Sequence, residues 1–181
     1  MKTIEVLPTK RLILRKWRDE DAEAMAAINR DPEVTQLLNR PVDEAAVAGF
    51  VAAMTAHWHE HGFGPWAVQL RGPRDDGPLL GFAGLAHVPP FLAAAGPAPE
   101  LGWRLTRSAW GRGYATEAAL AARDDAFSRL GLTQVVSIIH PDNARSQRVA
   151  TKLGMSRTRQ IDNPLLGRTV DVWTLHADEV G

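Results

Sequence analysis

The heptapeptide Trp110-Gly111-Arg112-Gly113-Tyr114-Ala115-Thr116 (WGRGYAT) lies between two segments of contrasting pattern. Before it, residues 100–106 (ELGWRLT) alternate apolar side chains with others, which is typical of a β-strand. After it, residues 114–130 predict a helix, because one face carries Ala115, Ala119, Ala122, Ala126 and Leu130. We therefore expect a turn from a strand into the strongest helix of the chain.

The glycines of this turn predict an anion-binding site. Gly111 and Gly113 can adopt backbone conformations closed to other residues and let a ligand approach the main chain. The first amides of the helix then point at that ligand, and Arg112 supplies a counter-charge. A glycine-rich turn without a ligand is the alternative. Nucleotide motifs are excluded, since Thr116 stands where a dinucleotide fingerprint needs a third small residue and no Gly-Lys-Ser/Thr begins the helix.

Outward from the turn, the other segments predict an alternation of strands and helices. We expect strands at residues 10–15, 65–71, 79–88, 134–139 and 168–175, and helices at residues 17–30, 43–61 and 143–153. Four prolines make residues 89–99 an expected exposed loop. The order β–α–α–β–β–β–α–β–α–β predicts a mixed α/β (α+β) fold, as one domain over residues 1–181 with helices packed on a largely antiparallel sheet.

Composition excludes several classes of function. Among 181 residues, Lys plus Arg and Asp plus Glu both count 21, so the net charge of zero argues against a nucleic-acid or membrane-surface binder. The absence of cysteine removes disulfides, thiolate zinc sites and a cysteine nucleophile. No segment approaches the ~20 apolar residues of a membrane helix, and no signal peptide is recognised, so we expect a cytoplasmic monomer or homodimer.

Several motifs together resemble one known family. Leu105-Thr106 followed by residues 110–118 (WGRGYATEA) is similar to the acyl-CoA pyrophosphate motif of the GNAT N-acetyltransferase superfamily. Further similar pieces, in the family's order, are residues 9–25 (TKRLILRKWRDEDAEAM), 31–34 (DPEV), 143–146 (NARS) and 152–155 (KLGM). Within the superfamily, the chain resembles the branch of the ribosomal-protein alanine N-acetyltransferases.

This resemblance implies a fold, a reaction and a cofactor site. The fold would be a central, mostly antiparallel, splayed sheet flanked by about four helices. The reaction would move an acetyl group from acetyl-CoA directly to a primary amine, either a protein N-terminal α-amine or a small amine. The resemblance implies main-chain contacts to acetyl-CoA near Leu105 and Thr106, a pyrophosphate site at Gly111, Arg112, Gly113, Tyr114, Ala115 and Thr116, and a hydrogen bond from Asn143 to its amide arm. Arg112, rather than Arg145 or Arg148, is the arginine expected to reach a phosphate.

Two residues are candidates for the chemistry. Glu100 begins the strand that leads to the cofactor site and is the candidate base that takes the amine proton, directly or through water; an ordinary strand-end glutamate paired with Arg104 or with solvent is the alternative. Ser146 is the candidate acid or thiol partner, with cofactor orientation or a bond to its own helix backbone as alternatives. The tyrosine that related enzymes use as an acid would fall near Ala150. A catalytically idle acyl-CoA-binding module is therefore the rival hypothesis.

Other polar residues give weaker indications. His57 and His61 share a helix face but His59 does not, and no HExxH pattern is present, so we expect no metal site. His87 has at most a minor role in base chemistry. The acidic residues near the expected acceptor region, which would attract a cationic amine or merely face solvent, are Glu33, Asp43, Glu44 and Glu60.

Overall fold

One eight-stranded sheet organises the computed structural model, which describes residues 4–180. The strands are β1 (Val6–Pro8), β2 (Leu12–Arg15), β3 (Pro65–Leu70), β4 (Leu79–Ala86), β5 (Glu100–Leu105), β6 (Gln134–Ile139), β7 (Ser156–Asn163) and β8 (Arg168–His176). Their spatial order is β1-β2-β3-β4-β5-β6-β8-β7. Only β5 and β6 run parallel in this sheet, so the predicted, largely antiparallel α/β fold is confirmed.

Two strands are absent from the sequence prediction. Strand β1 has three residues and pairs only with β2. Strand β7 reads SRTRQIDN, and its first five residues are exposed, so it lacks the apolar alternation that marks a half-buried strand. Its pairing with β8 at the edge of the sheet provides the hydrogen bonds that make it a strand.

Five α-helices accompany the sheet in the described residues: α1 (Asp21–Arg30), α2 (Pro32–Thr35), α3 (Glu44–His61), α4 (Tyr114–Ser128) and α5 (Ala144–Lys152). Four of them have nine or more residues, which matches the expected number of about four flanking helices. Asp43 caps α3 by accepting a hydrogen bond from the Ala46 amide (2.7 Å), and Gly62 ends it with φ of 71°. Because these capping signals are local, the sequence predicts the ends of α3 to within one residue.

Helix α4 packs closely on the sheet because its inner face is built from alanine. Ala118, Ala119, Ala122 and Ala126 are at most 1% exposed, and the helix contacts β2, β4 and β5. Small side chains let the helix axis approach the strands, which fixes where the N-terminus of α4 lies relative to β5.

A buried ion pair places α1. Two nitrogens of Arg15 in β2 each contact one carboxylate oxygen of Asp21 at 2.7 Å, and the Arg18 amide also donates to Asp21 (2.8 Å). Both side chains of the pair are less than 10% exposed. Asp21 therefore joins the start of the helix to the sheet. These charge-assisted hydrogen bonds are stronger than the dipole interaction expected of a first-turn carboxylate.

The expectation of an exposed loop at residues 89–99 is partly wrong. A 3₁₀-helix spans Pro90–Ala95, and its Leu92 and Ala95 are buried against Val136, Val170 and Val172. The prolines prevent a regular strand, but the apolar residues between them still cover the sheet. No helix in residues 4–180 has both the length and the apolar character needed to cross a membrane.

Candidate active site

Strands β5 and β6 meet at one point and then separate. Glu100 is in register with Val136, whose amide donates to the Pro99 carbonyl (3.0 Å). One step further the buried Ser137 hydroxyl donates to the Leu101 carbonyl (2.5 Å). Beyond this point β5 stays in register with β4 but not with β6. The gap opens into a cavity of about 930 Å³ that is lined by both strands and by residues from α1 to α5.

The main chain of β5 presents hydrogen-bonding groups to this cavity. The Thr106 amide donates to the Leu80 carbonyl (2.7 Å). This bond shows which residue pairs of β4 and β5 are hydrogen-bonded and which are not. Because bonded and non-bonded pairs alternate along an antiparallel ladder, the main-chain groups of Trp103 and Leu105 point away from β4. Both residues line the cavity. The Leu105 carbonyl accepts from Trp110 Nε1 (2.9 Å), which leaves the Leu105 N–H and both groups of Trp103 facing the gap.

The glycine-rich turn forms one end of the cavity. Gly111 and Gly113 have φ of 74° and 80°, the left-handed conformation that the sequence predicts. The first main-chain bond of α4 runs from the Glu117 amide to the Gly113 carbonyl (3.0 Å), and Gly113 provides no side-chain cap. The amides of residues 114–116 precede that bond and are the free N–H groups of the helix N-terminus. These three residues and both glycines line the cavity.

The β1–β2 hairpin holds this turn from outside. Arg11 Nη1 donates to the Arg112 carbonyl (2.9 Å). Glu117 accepts hydrogen bonds of 2.7 Å from the Thr9 hydroxyl, the Arg11 amide and Arg11 Nε. Burial by itself would raise the pKa of Glu117, but these hydrogen bonds from Thr9 and Arg11 lower it, so the carboxylate stays ionised. The turn is thus anchored through groups other than its own cavity-facing amides.

Helix α5 forms the facing wall. Asn143 Oδ1 caps the helix by accepting from the Ser146 amide (3.1 Å), and both residues line the cavity. Because the capping bond uses Oδ1, the side-chain NH₂ of Asn143 is the group that can donate a hydrogen bond to a ligand. Within residues 4–180 the Ser146 hydroxyl has no protein hydrogen-bond partner, so it makes no bond back to its own helix.

Three basic side chains of α5 line the cavity near the turn: Arg145, Arg148 and Lys152. The guanidinium carbon of Arg145 lies 3.9 Å from the centroid of the Trp110 ring, a stacking contact that holds this cation beside the glycines. Arg112 is exposed and does not line the cavity. The geometry thus favours the arginines of α5, whereas Arg112 binding to a phosphate stays a prediction.

The other end of the cavity contains Glu100. Burial raises the pKa of this carboxyl, while the charges of Arg40 and Arg104 and the Ile138 amide act in the opposite direction. Glu100 makes no ion pair with Arg104 or with any other described residue, so a direct ion pair with Arg104 is not present. A carboxylate with a raised pKa inside a cavity is a candidate proton acceptor.

Three histidines lie together at this end. Ring centroids are 4.5 Å apart for His57 and His61, 4.5 Å for His61 and His87, and 5.5 Å for His57 and His87. Burial, followed by the proximity of His61 and His87, lowers the pKa of His57. In the described part of the chain, no group of three or more His, Asp or Glu side chains is arranged so that it could hold a metal ion. The helical spacing of His57 and His61 predicted that these two would lie together. Nothing in the sequence around His87, which follows β4, indicated that it would join them.

The predicted acidic residues are mostly engaged elsewhere. Asp43 caps α3, Glu44 pairs with Arg30, and a Glu60 oxygen lies 3.7 Å from His61 Nε2. Of the four, only Glu33 lines the cavity. The acceptor end is therefore less acidic than the sequence suggested.

A family comparison agrees with this geometry. Residues 11–156 match the family model described as the acetyltransferase (GNAT) domain. The chain belongs to the GNAT family. The sequence resemblance and the acetyltransferase class that it implied are confirmed.

Relatives of the GNAT chain cover most of its length. The "Uncharacterized N-acetyltransferase YoaA" of Bacillus subtilis is 30% identical over 155 residues, which is 84% of this chain and 83% of that protein. An acetyltransferase structure from Agrobacterium tumefaciens has 32% identity and a TM-score of 0.81, covering 97% of this chain and 96% of that one. RimJ of Mycobacterium smegmatis, in complex with CoA-disulfide, shares the fold with a TM-score of 0.74 at 19% identity, covering 98% of this chain and 90% of that one.

Most residues that were expected to form the GNAT site come together. The cavity is lined by Glu100, Leu105, Gly111, Gly113, Tyr114, Ala115, Thr116, Asn143 and Ser146. Thr106 and Arg112 do not line it, and the Thr106 amide is bonded to β4. The sequence analysis missed the anchoring role of Arg11, the stacking of Arg145 on Trp110 and the position of Arg40, because these contacts join residues far apart in the chain.

Proposed function

We propose that this GNAT enzyme transfers the acetyl group of acetyl-CoA directly to a primary amine, and that Glu100 accepts the amine proton. The supporting observation is that one cavity connects the free amides of α4 with the carboxyl group of Glu100. In this proposal the amine nitrogen forms a bond to the thioester carbon, the carbon–sulfur bond breaks, and the CoA thiolate leaves. Since the chain has no cysteine, no thiol acyl-enzyme is formed.

The proposed cofactor contacts use main-chain groups. The amides of residues 114–116 bind the pyrophosphate, and Arg145 and Arg148 add positive charge. The N–H and C=O of Trp103 pair with the amide arm, to which Asn143 donates as well. The Leu105 N–H faces the same gap and stabilises the oxyanion of the tetrahedral intermediate.

The raised pKa of Glu100 suits a base for this reaction. Lysine amines, with a pKa of about 10.4, and α-amines, with a pKa of about 7.7–8.0, are largely protonated at neutral pH and cannot attack a thioester in that form. A base whose pKa is closer to that of the amine transfers the proton more efficiently.

The CoA thiolate can leave without a strong general acid. Ala150, near which related enzymes have a tyrosine, is fully buried and has no proton to donate. An ordinary thiol has a pKa of about 8.5, so its thiolate is a stable leaving group at neutral pH. Ser146 is proposed to orient the cofactor, with its hydroxyl facing the cavity.

A Glu100→Gln variant tests this proposal. We expect kcat/KM to fall about 10²-fold at pH 6–7 and less above the pKa of the amine, where neutral amine is already abundant. In the unmodified enzyme, protonation of Glu100 steepens the acidic decline of kcat/KM that protonation of the amine already causes, and this additional decline is absent from the variant. The measurement is a pH profile of acetyl-CoA consumption with a panel of amines.

Glu33→Gln is the matched control, since Glu33 also lines the cavity but is exposed. Rates unchanged by Glu100→Gln at pH 6–7 would remove Glu100 from the role of base. Tight CoA binding without turnover of any amine would favour the idle acyl-CoA-binding module.

A further inference from the structure

We propose that the acceptor is an amine that also carries a carboxylate, as a free amino acid does, and that Arg104 binds this carboxylate with Arg40 beside it. This inference rests on the proposed function, because the amine of the same molecule must reach Glu100 in the shared cavity. It adds the chemical class of the acceptor, which neither the fold nor the relatives establish.

Arg104 is held in place by uncharged groups. Its Nη1 donates to Asn29 Oδ1 (2.6 Å) in α1, and Asn29 is only 3% exposed. Its guanidinium carbon lies 5.3 Å from the centroid of the Phe82 ring and 5.8 Å from that of Phe50. These contacts from α1, α3 and β4 fix the direction of the guanidinium without neutralising it.

The charge of Arg104 has no direct ion-pair partner within residues 4–180. No described carboxylate forms an ion pair with it, and its buried Nε has no hydrogen-bond partner. Burial, together with the charge of Arg40, lowers the pKa of Arg104 to about 10, while the charge of Glu100 acts in the opposite direction, so the side chain is still a cation at neutral pH. A partly buried cation without an ion-pair partner is costly, and an anionic ligand would reduce that cost.

Structural arginines of the same chain are paired differently. Arg15 and Arg129 have side chains 8% and 12% exposed, and each donates two hydrogen bonds of 2.6–2.7 Å to one aspartate, Asp21 and Asp125 respectively. The fold therefore provides carboxylates for these two buried guanidinium groups. Arg104, which lines the cavity, lacks such a carboxylate from the protein.

The cofactor phosphates do not account for this cation. The amides of residues 114–116 and the basic side chains of α5 form the phosphate end of the proposed site. Arg104 instead contacts α1 and α3, on the side of the sheet where Glu100 also projects, because positions 100, 102 and 104 of a strand share one face. An anion at Arg104 thus belongs to the acceptor.

Apart from Arg40, Asn29, Asn39 and the three histidines, the remaining walls of this end are apolar. The first three turns of the α3 face, from Ala45 to Met54, contribute small or apolar residues before His57 and His61, and Leu37, Leu38 and Phe91 add to them. Only Glu33 and Glu100 bring carboxylates to the cavity within the described residues. These features favour an amino acid with an apolar side chain over a polycationic acceptor.

The test compares each amino acid with its own amide. Leucine, methionine, phenylalanine and tryptophan, and the four corresponding amides, are assayed with acetyl-CoA, with rates corrected for the neutral fraction of each amine. Binding of the same eight compounds to the CoA-saturated enzyme is measured by calorimetry. We expect at least one acid to exceed its amide by about 10- to 100-fold in kcat/KM and in affinity, the range of a charge-assisted hydrogen bond.

Arg104→Gln is expected to abolish that preference, read as the ratio of acid to amide within each variant, because any change in the pKa of Glu100 affects both compounds alike. Arg40→Gln, at an exposed position, is the second variant in case Arg104→Gln does not fold, and it is expected to reduce the preference. Arg107→Gln is the matched control, because Arg107 is an exposed arginine outside the cavity lining that lies 3.5 Å from Asp31. It is expected to retain the preference for the acid.

The outcomes separate the two proposals. If amides are acetylated and bound as well as their acids, or if the preference survives in both variants, the carboxylate site is overturned while amine acetylation stands. If neither these compounds nor the amine panel is acetylated, the proposed function fails, and calorimetry alone decides the site. Binding of an acid that is lost in Arg104→Gln supports the site, and absence of acid binding overturns it.

Discussion

At the scale of single residues, the glycine-rich turn depends on conformation rather than on space. A Cβ added to Gly111 would meet no atom within 4 Å, and one added to Gly113 would meet only the end of the flexible Arg11 side chain at 3.3 Å. Both residues nevertheless have positive φ, which side chains other than glycine adopt at a cost. Their role is therefore to direct the following amides into the cavity.

Gly113→Ala tests this role. At φ of 80° alanine is strained by about 1–2 kcal/mol, and the turn is expected to relieve the strain by shifting the amides of residues 114–116. We expect a measurable loss of CoA affinity in titration calorimetry together with a modest loss of stability in urea.

Gly131→Ala is the matched control. Gly131 has φ of 66° and open space around its Cα, but it does not line the cavity. It should lose similar stability and keep its CoA affinity. Unaltered affinity in Gly113→Ala would contradict the assignment of the turn as the pyrophosphate site.

At the scale of elements, one carboxylate joins the N-terminus of α4 to the β1–β2 hairpin. Glu117 accepts three hydrogen bonds from Thr9 and Arg11, and Arg11 in turn holds the Arg112 carbonyl. The side chain of Glu117 is 17% exposed and that of Arg11 is 42% exposed, so water weakens these bonds only in part. The hairpin is therefore part of the support of the phosphate end.

We expect Glu117→Gln to lower the free energy of unfolding by about 1–2 kcal/mol at neutral pH, because the bonds lose their charge. The folded-state pKa of Glu117 is lowered, so its contribution is fully present above the unfolded pKa of about 4.3 and is lost as the pH falls through the folded pKa. The difference between the two proteins should accordingly shrink in acid, as measured by urea unfolding from pH 7 to pH 3.

Glu23→Gln provides the comparison for this variant, since Glu23 is an exposed carboxylate in the first turn of α1. The carboxylate of Glu23 interacts with its helix dipole, as that of Glu117 does, but holds no hairpin, so this variant loses the dipole interaction alone. An equal loss in both variants, or a Glu117→Gln loss that persists at pH 3, would show that the hairpin bonds do not matter.

At the scale of the whole molecule, the cofactor is expected to connect elements that the sheet leaves apart. The proposed contacts come from β5, from the start of α4 and from the start of α5, on both sides of the gap. Binding should therefore slow amide hydrogen exchange at residues 103–105, 111–116 and 143–146, where main-chain groups face the ligand or lie beside it.

Strand β7 serves as an internal control in that experiment, because none of its residues lines the cavity. Mass spectrometry with and without CoA measures both regions in one sample. Protection spread evenly over the chain, or no protection at residues 114–116, would contradict the proposed site.

Local rules made a large part of this GNAT fold readable from the sequence alone. Helix α3 begins after Asp43 and ends at Gly62, and the turn at Gly111 and Gly113 leads into α4. Caps, helical periodicity and glycine conformations depend on neighbours along the chain, so the residues themselves carry the information. The motif of the turn also indicated the family and the cofactor end of the site.

Tertiary structure alone decided the edge of the sheet and the acceptor end. Strand β7 has a polar sequence and becomes a strand only because β8 lies beside it. Arg104 lies in an ordinary alternating strand, and it becomes an unpaired cation only where Asn29, 75 residues away in sequence, and two aromatic rings surround it. Pairing partners and counter-ions come from distant parts of the chain, and no local pattern specifies which residues will meet.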